Sequence, residues 1–166
     1  MITKFLPEFK VFEVNNLTGL RNGHILAQMK AADNIAAKTV GSEKYIENGI
    51  ICGLNGNGTI GNYIPGTHKT AFVHYTEEIL SVIPELKYFA VPVEDGVAYP
   101  RCIALYAGDY FTTNNYEGSI EDNGDGYATV QNGVLKLQAE ATNAMFKATA
   151  STLPSGEFAY EFLYIG

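Results

Sequence analysis

Apolar residues along this chain fall into short runs, many with a two-residue rhythm. Asn-Gly and Asp-Gly pairs cut between them. The pairs stand at Asn22-Gly23, Asn48-Gly49, Asn55-Gly56, Asn57-Gly58, Asp95-Gly96, Asn123-Gly124, Asp125-Gly126 and Asn132-Gly133. Each pair tolerates the positive φ that tight hairpin turns require. Aromatic and β-branched residues flank most of them, which is strand chemistry. The pattern predicts a mainly β fold: a single β-barrel or β-sandwich built from hairpins, with one or two short helices.

The first run, FLPEFKVFEV from Phe5 to Val14, has Pro7 near its start, which keeps the chain extended there. Apolar groups fall on both of its faces, as in a strand covered on both sides. Phe5, Leu6, Phe9 and Phe12 place four large apolar groups around that proline. Two readings stand for them: a contact arm for another chain, over residues 1–8, or the domain's own core.

Lys30 to Lys38 is Ala-rich and predicts a helix of one or two turns. A second short helix is expected near residues 76–82, with Thr76 as N-cap and Pro84 as its stop. Gly53 to Gly66 reads as a flexible or tightly turned loop, and Thr70 to Tyr75 as a strand. Tyr88 to Glu94 and Val97 to Tyr106 flank Asp95-Gly96 and predict a hairpin. Pro92 and Pro100 inside these runs mark edges or bulges.

Gly108-Asp109 turns the chain into Tyr110-Phe111-Thr112-Thr113, and Asn114 to Gly126 reads as a long surface loop. Strands are expected at Tyr127 to Val130, Val134 to Gln138 and Phe158 to Ile165. Ala139 to Ala150 is ambiguous between helix and strand, with Met145 to Thr149 leaning to strand. Leu153 to Gly156 forms a turn.

Composition narrows the function classes. A chain of 166 residues suits one domain, and 46% hydrophobic residues with 11 Tyr and 9 Phe suit a strand-rich core. A net charge of −7 with no basic run argues against nucleic acid and anionic membrane surfaces as partners. No apolar run approaches the ~20 residues that span a bilayer, and the start lacks a secretory h-region. The expected site of synthesis is a cytoplasm. Cys52 and Cys102 sit in apolar runs and read as reduced, buried, small hydrophobes.

Candidate chemistry is sparse. His68 and His74 are six apart and His24 is remote, without the four close ligands of a structural zinc site. They read as ordinary surface or half-buried histidines. Glu121-Asp122-Asn123-Gly124-Asp125-Gly126 resembles part of a calcium loop, but Asn132 stands where the bidentate Glu is needed, so it reads as an acidic solvent loop. Gly53 to Gly58 is glycine-rich without the Lys-Ser/Thr of a phosphate-binding loop. No Ser or Cys stands in a nucleophile motif. No catalytic, cofactor-binding or metal-binding residues and no cofactor are therefore expected. Arg101, in an apolar run, is expected to pair internally with Asp109 or Glu94.

Several segments together resemble a known family. They are Asn22-Gly23-His24-Ile25, Asn48-Gly49-Ile50-Ile51, Pro100-Arg101, Gly108-Asp109-Tyr110-Phe111-Thr112-Thr113-Asn114, Gly133-Val134-Leu135-Lys136-Leu137 and Leu153-Pro154-Ser155-Gly156. In these the chain resembles the head decoration, or capsid-stabilising, proteins of tailed bacteriophages. The resemblance implies a non-enzymatic virion structural protein, made in the host cytoplasm and bound to the outer capsid surface. Its partner would be the major capsid protein, whose contacts it stabilises, and it would form a homo-oligomer, with a trimer favoured. A module that binds only the assembled shell stabilises it by mass action, and repeated copies add avidity. The alternative is a carbohydrate- or receptor-binding β module of a phage fibre or adhesin, with Tyr110, Tyr116 and Tyr127 stacking on sugars. A small hydrolase with a site assembled across strands is the third reading.

Overall fold

The computed structural model describes residues 25–26, 29–40, 43–75, 91–92, 98–154 and 156–166. In chain order their strands are β1 (Ile25–Leu26), β2 (Lys38–Val40), β3 (Glu43–Ile46), β4 (Ile51–Leu54), β5 (Ile60–Asn62), β6 (Phe72–His74) and β7 (Val91–Pro92). Then follow β8 (Cys102–Ala104), β9 (Tyr110–Thr113), β10 (Tyr116–Glu117), β11 (Gly126–Gln131), β12 (Val134–Gln138), β13 (Phe146–Thr152) and β14 (Phe158–Tyr164). The fold is mainly β. Among the described residues no helix is long and apolar enough to cross a membrane.

The second half of the chain follows its turn chemistry closely. Asn132 and Gly133 take φ of 51° and 79°, the two left-handed positions of a tight hairpin turn. They join β11 to β12, with Gln131 opposite Val134 and Tyr127 opposite Gln138. The turn at Leu153 to Gly156 joins β13 to β14 in register from Thr152↔Phe158 to Phe146↔Tyr164. The resulting six-stranded sheet has the order β10-β12-β11-β13-β14-β9. All its neighbours are antiparallel except β10, which lies parallel to β12.

A five-stranded antiparallel sheet, β1-β8-β6-β4-β5, faces it, and β2-β3-β7 form a smaller third sheet. The five-stranded sheet is buried on both sides. Ile51 and Val73, directly opposite each other, pack with Ala128, Leu135, Phe146 and Phe162 of the six-stranded sheet. Cys52, Phe72 and Cys102 point the other way, against Ala31, Ile46 of β3 and Ala98. This two-sided burial explains the unbroken apolar run Ile50-Ile51-Cys52, since no face of β4 needs polar cover. In the first core Phe146 and Phe162 meet edge to face at 6.2 Å, and Phe111 meets Phe146 the same way at 5.9 Å. Such pairs add about 0.5–1.5 kcal/mol beyond burial.

Four expectations need correction. The Ala-rich stretch at 30–38 is not helical. Ala31 forms a parallel bridge to Ile60, and β2 begins at Lys38. Its backbone is claimed from afar: Ala31 N–H bonds the Ala98 carbonyl (2.8 Å), Ala32 N–H the Ile60 carbonyl (2.7 Å), and Asn62 Oδ1 accepts Ala36 N–H (2.7 Å). A helix that short is marginal in water, so long-range partners win. Secondly, the two described parts of the expected hairpin about Asp95-Gly96 join different sheets. β7 pairs with β3, whereas β8 pairs with β6 and β1.

Thirdly, Gly53 to Gly66 is largely a hairpin, β4 to β5, closed by Asn55 N–H to the Thr59 carbonyl at 2.8 Å. Fourthly, the loop at 114–126 contains β10 and a buried Ile120. The second expected helix, near 76–82, lies outside the described residues. So do the arm at 1–8 and Phe5, Leu6, Phe9 and Phe12.

Candidate functional site

At the β9 edge of the six-stranded sheet the two large sheets part. Between them runs a groove of about 580 Å³. Val73 and Tyr75 at β6 and Ile103 and Leu105 at β8 form one wall, and Tyr110 to Thr113 of β9 form the other. The wall residues Val73, Ile103, Leu105 and Phe111 belong to or pack on the core between the sheets. The groove is thus the place where that core reaches the surface.

Local chemistry positions β9. Asp109 Oδ2 accepts Tyr106 N–H at 2.8 Å, and Asp109 N–H returns a bond to the Tyr106 carbonyl at 2.9 Å. Gly108, at φ 101°, donates to the Tyr164 carbonyl, and Tyr164 N–H donates to the Asp109 carbonyl at 2.8 Å. The other end is stitched at the Asn48-Gly49 turn. Asn115 Nδ2 donates to the Asn48 carbonyl (2.8 Å), and Gly49 N–H to the His74 carbonyl (2.9 Å). Gly49 stands at φ 88°, and a Cβ there would lie 2.8 Å from Thr113 Oγ1. Only glycine suits that position.

The bonded pair Tyr164 and Asp109 sets the alternation along β9. Phe111 and Thr113, opposite Phe162 and Tyr160, turn their backbone groups to β14. Tyr110 and Thr112 turn theirs outward, toward the open edge. Among the described residues nothing pairs with these groups. Tyr110 is 68% exposed, and Tyr75 also stands in water. The result is an unpaired strand edge beside an apolar, tyrosine-rimmed groove.

The titratable residues singled out in the sequence lie elsewhere or are engaged. His74 is fully buried, not at the surface or half-buried as its sequence context suggested. Its Nδ1 lies 2.7 Å from the Arg101 carbonyl, an acceptor only, so Nδ1 carries the proton. Among the described residues Nε2 has no hydrogen-bond partner. Burial lowers the pKa of this ring to about 4, against the backbone of Arg101 and Ile46, which favours the charged form. His68 works in the β4–β5 hairpin. Its Nδ1 accepts Ile64 N–H (2.9 Å), which leaves Nε2–H to donate to Asn55 Oδ1 (3.2 Å).

Arg101 does not pair with Asp109, whose carboxylate is held in the turn above, and Arg101 Nη1 is buried without a partner among the described residues. Glu94 lies outside the described residues. In the acidic loop, Asp125 Oδ1 accepts Ala150 N–H at 3.2 Å and so ties the loop to β13. Among the described residues no three His, Cys, Asp or Glu side chains gather as a metal site. Cys52 and Cys102 are free and buried. The neighbouring Cys52 thiol and burial push the Cys102 thiol above its ordinary range.

The three tyrosines of the sugar-stacking reading are not one platform. Tyr116 packs edge to face on Tyr160 at 5.3 Å and joins the core. Tyr127 is half-buried, and only Tyr110 projects into solvent. Sequence reasoning placed residues 110–113 directly after the Gly108-Asp109 turn but missed the groove. Tyr110 to Thr113 hold no proline or charge that would mark the strand as an edge. Compared with protein-family models, with curated proteins and with solved structures, the chain matches none.

Proposed function

We propose that this chain is a non-enzymatic structural protein of a tailed-phage virion. In this reading it binds the outer capsid surface and stabilises contacts between major capsid protein subunits. The observation that carries the reading is the open β9 edge beside an apolar groove rimmed by Tyr75 and Tyr110. Unpaired backbone groups next to apolar surface and exposed tyrosine are the chemistry of a protein contact, here between copies arrayed side by side on the shell. Phe5, Leu6, Phe9 and Phe12 supply a second candidate contact within eight residues of sequence.

The test is co-sedimentation of the purified chain with emptied phage heads and, separately, with unassembled capsid subunits. Stoichiometric binding to heads alone, with a rise in their rupture temperature, is the expected result. Failure to bind heads overturns the reading. Binding to a glycan array instead would move the function to a fibre or adhesin module centred on Tyr110.

A further inference from the structure

The open edge of β9 invites a strand, and the chain carries one of matching chemistry. The outward N–H and C=O groups of Tyr110 and Thr112 have no partner among the described residues. An edge of this kind is completed by an extended segment that supplies main-chain bonds, with alternate side chains entering the neighbouring apolar groove. Phe5 to Val14 is such a segment. It has apolar groups on both faces, and Pro7 stands near its start, where a missing N–H costs least.

The place where this part of the chain joins the fold also fits. Ile25 lies opposite Ile103 and Leu26 opposite Cys102. From Leu26 back to Ile25, β1 therefore runs along β8 in the direction of Leu105 and the Gly108-Asp109 turn from which β9 starts. Ile25, where the described chain begins, thus lies beside Ile103, which lines the groove. Residues 15–24 extend to at most about 36 Å, ample to carry the segment from there to an adjoining molecule.

We propose that residues 5–14 of one copy pair along the open β9 edge of a neighbouring copy and fill its groove, so that copies are joined by exchanged strands. The exchange, rather than closure on the chain's own groove, rests on the reading that copies assemble side by side. Copies that meet around an axis and each give one strand and receive one close the assembly.

Two full-length variants test this in solution, without any capsid, so that failure here is separate from failure of shell binding. One carries Thr112→Cys and the other Lys10→Cys, with Tyr110→Cys as a second acceptor should Thr112→Cys fail to fold. The native Cys52 and Cys102 are buried away from reagent. The variants are mixed and treated with a short bismaleimide, and the products are weighed by mass spectrometry. A covalent heterodimer is expected, several-fold more abundant than any dimer formed by either variant alone. A chain carrying both substitutions that links only within itself would show that the segment closes its own groove, and would overturn the proposal. No link in either arrangement would overturn it too, leaving the β9 edge to a different protein.

Discussion

His74 shows how one buried side chain makes stability depend on pH. Its ring titrates near 4 when folded, against 6.5 ordinarily. As pH falls below 6.5 the unfolded chain takes up the proton first, so stability present at neutral pH is lost progressively down to about 4. At about 1.4 kcal/mol per unit, the loss between pH 7 and pH 5 is about 2 kcal/mol from this residue. Urea unfolding at the two pH values should show it, and His74→Phe should flatten the slope by that amount. Gly133 carries a second expectation. It stands at φ 79°, and a Cβ would lie 2.5 Å from Asn62 Oδ1. Gly133→Ala should lower unfolding free energy by about 1–3 kcal/mol, because it adds both backbone strain and a clash. Neither residue's burden is visible in its own letter. The Asn-Gly pair announced the turn, but only packing put Asn62 beside it, and only the five-stranded sheet buried His74.

Elements with local reinforcement were readable in advance. β12 occupies the span Val134–Gln138 expected for it, and β14 ends one residue before the expected limit. Both are flanked by turns whose chemistry sets register. The stretch at 30–38 was not readable, because its alanines favour a helix only while no stronger partner claims the backbone, and Ile60, Asn62 and Ala98 do. The two faces of the six-stranded sheet differ correspondingly in sensitivity. Phe162 is fully buried on β14, and Phe162→Ala should cost about 3–5 kcal/mol in chemical denaturation. Tyr110→Ser on exposed β9 should stay within about 0.5 kcal/mol of the parent by the same measurement, while weakening any contact made through the groove.

At the scale of the whole molecule, two expectations concern covalent and chain integrity. Cys52 on β4 and Cys102 on β8 flank β6 from opposite sides. Both are free and buried, their thiols neighbouring but unbonded. Melting temperatures with and without reductant should therefore agree. Deleting residues 1–7 should leave the melting temperature nearly unchanged while lowering occupancy on phage heads. Calorimetry and co-sedimentation on the same preparation would check both arms, and an unfolded truncation would place Phe5 and Leu6 in the core. The sequence by itself determined the β class, the four strands β11 to β14 and the tight turns, because side-chain alternation and φ preferences act over a few residues. The tertiary structure alone decided which strands pair across long separations. It sent the two described parts of the expected Asp95-Gly96 hairpin into different sheets. It also left β9 as an open edge, because pairing partners and burial are properties of distant segments meeting, and no local pattern encodes who is absent from a strand's outer side.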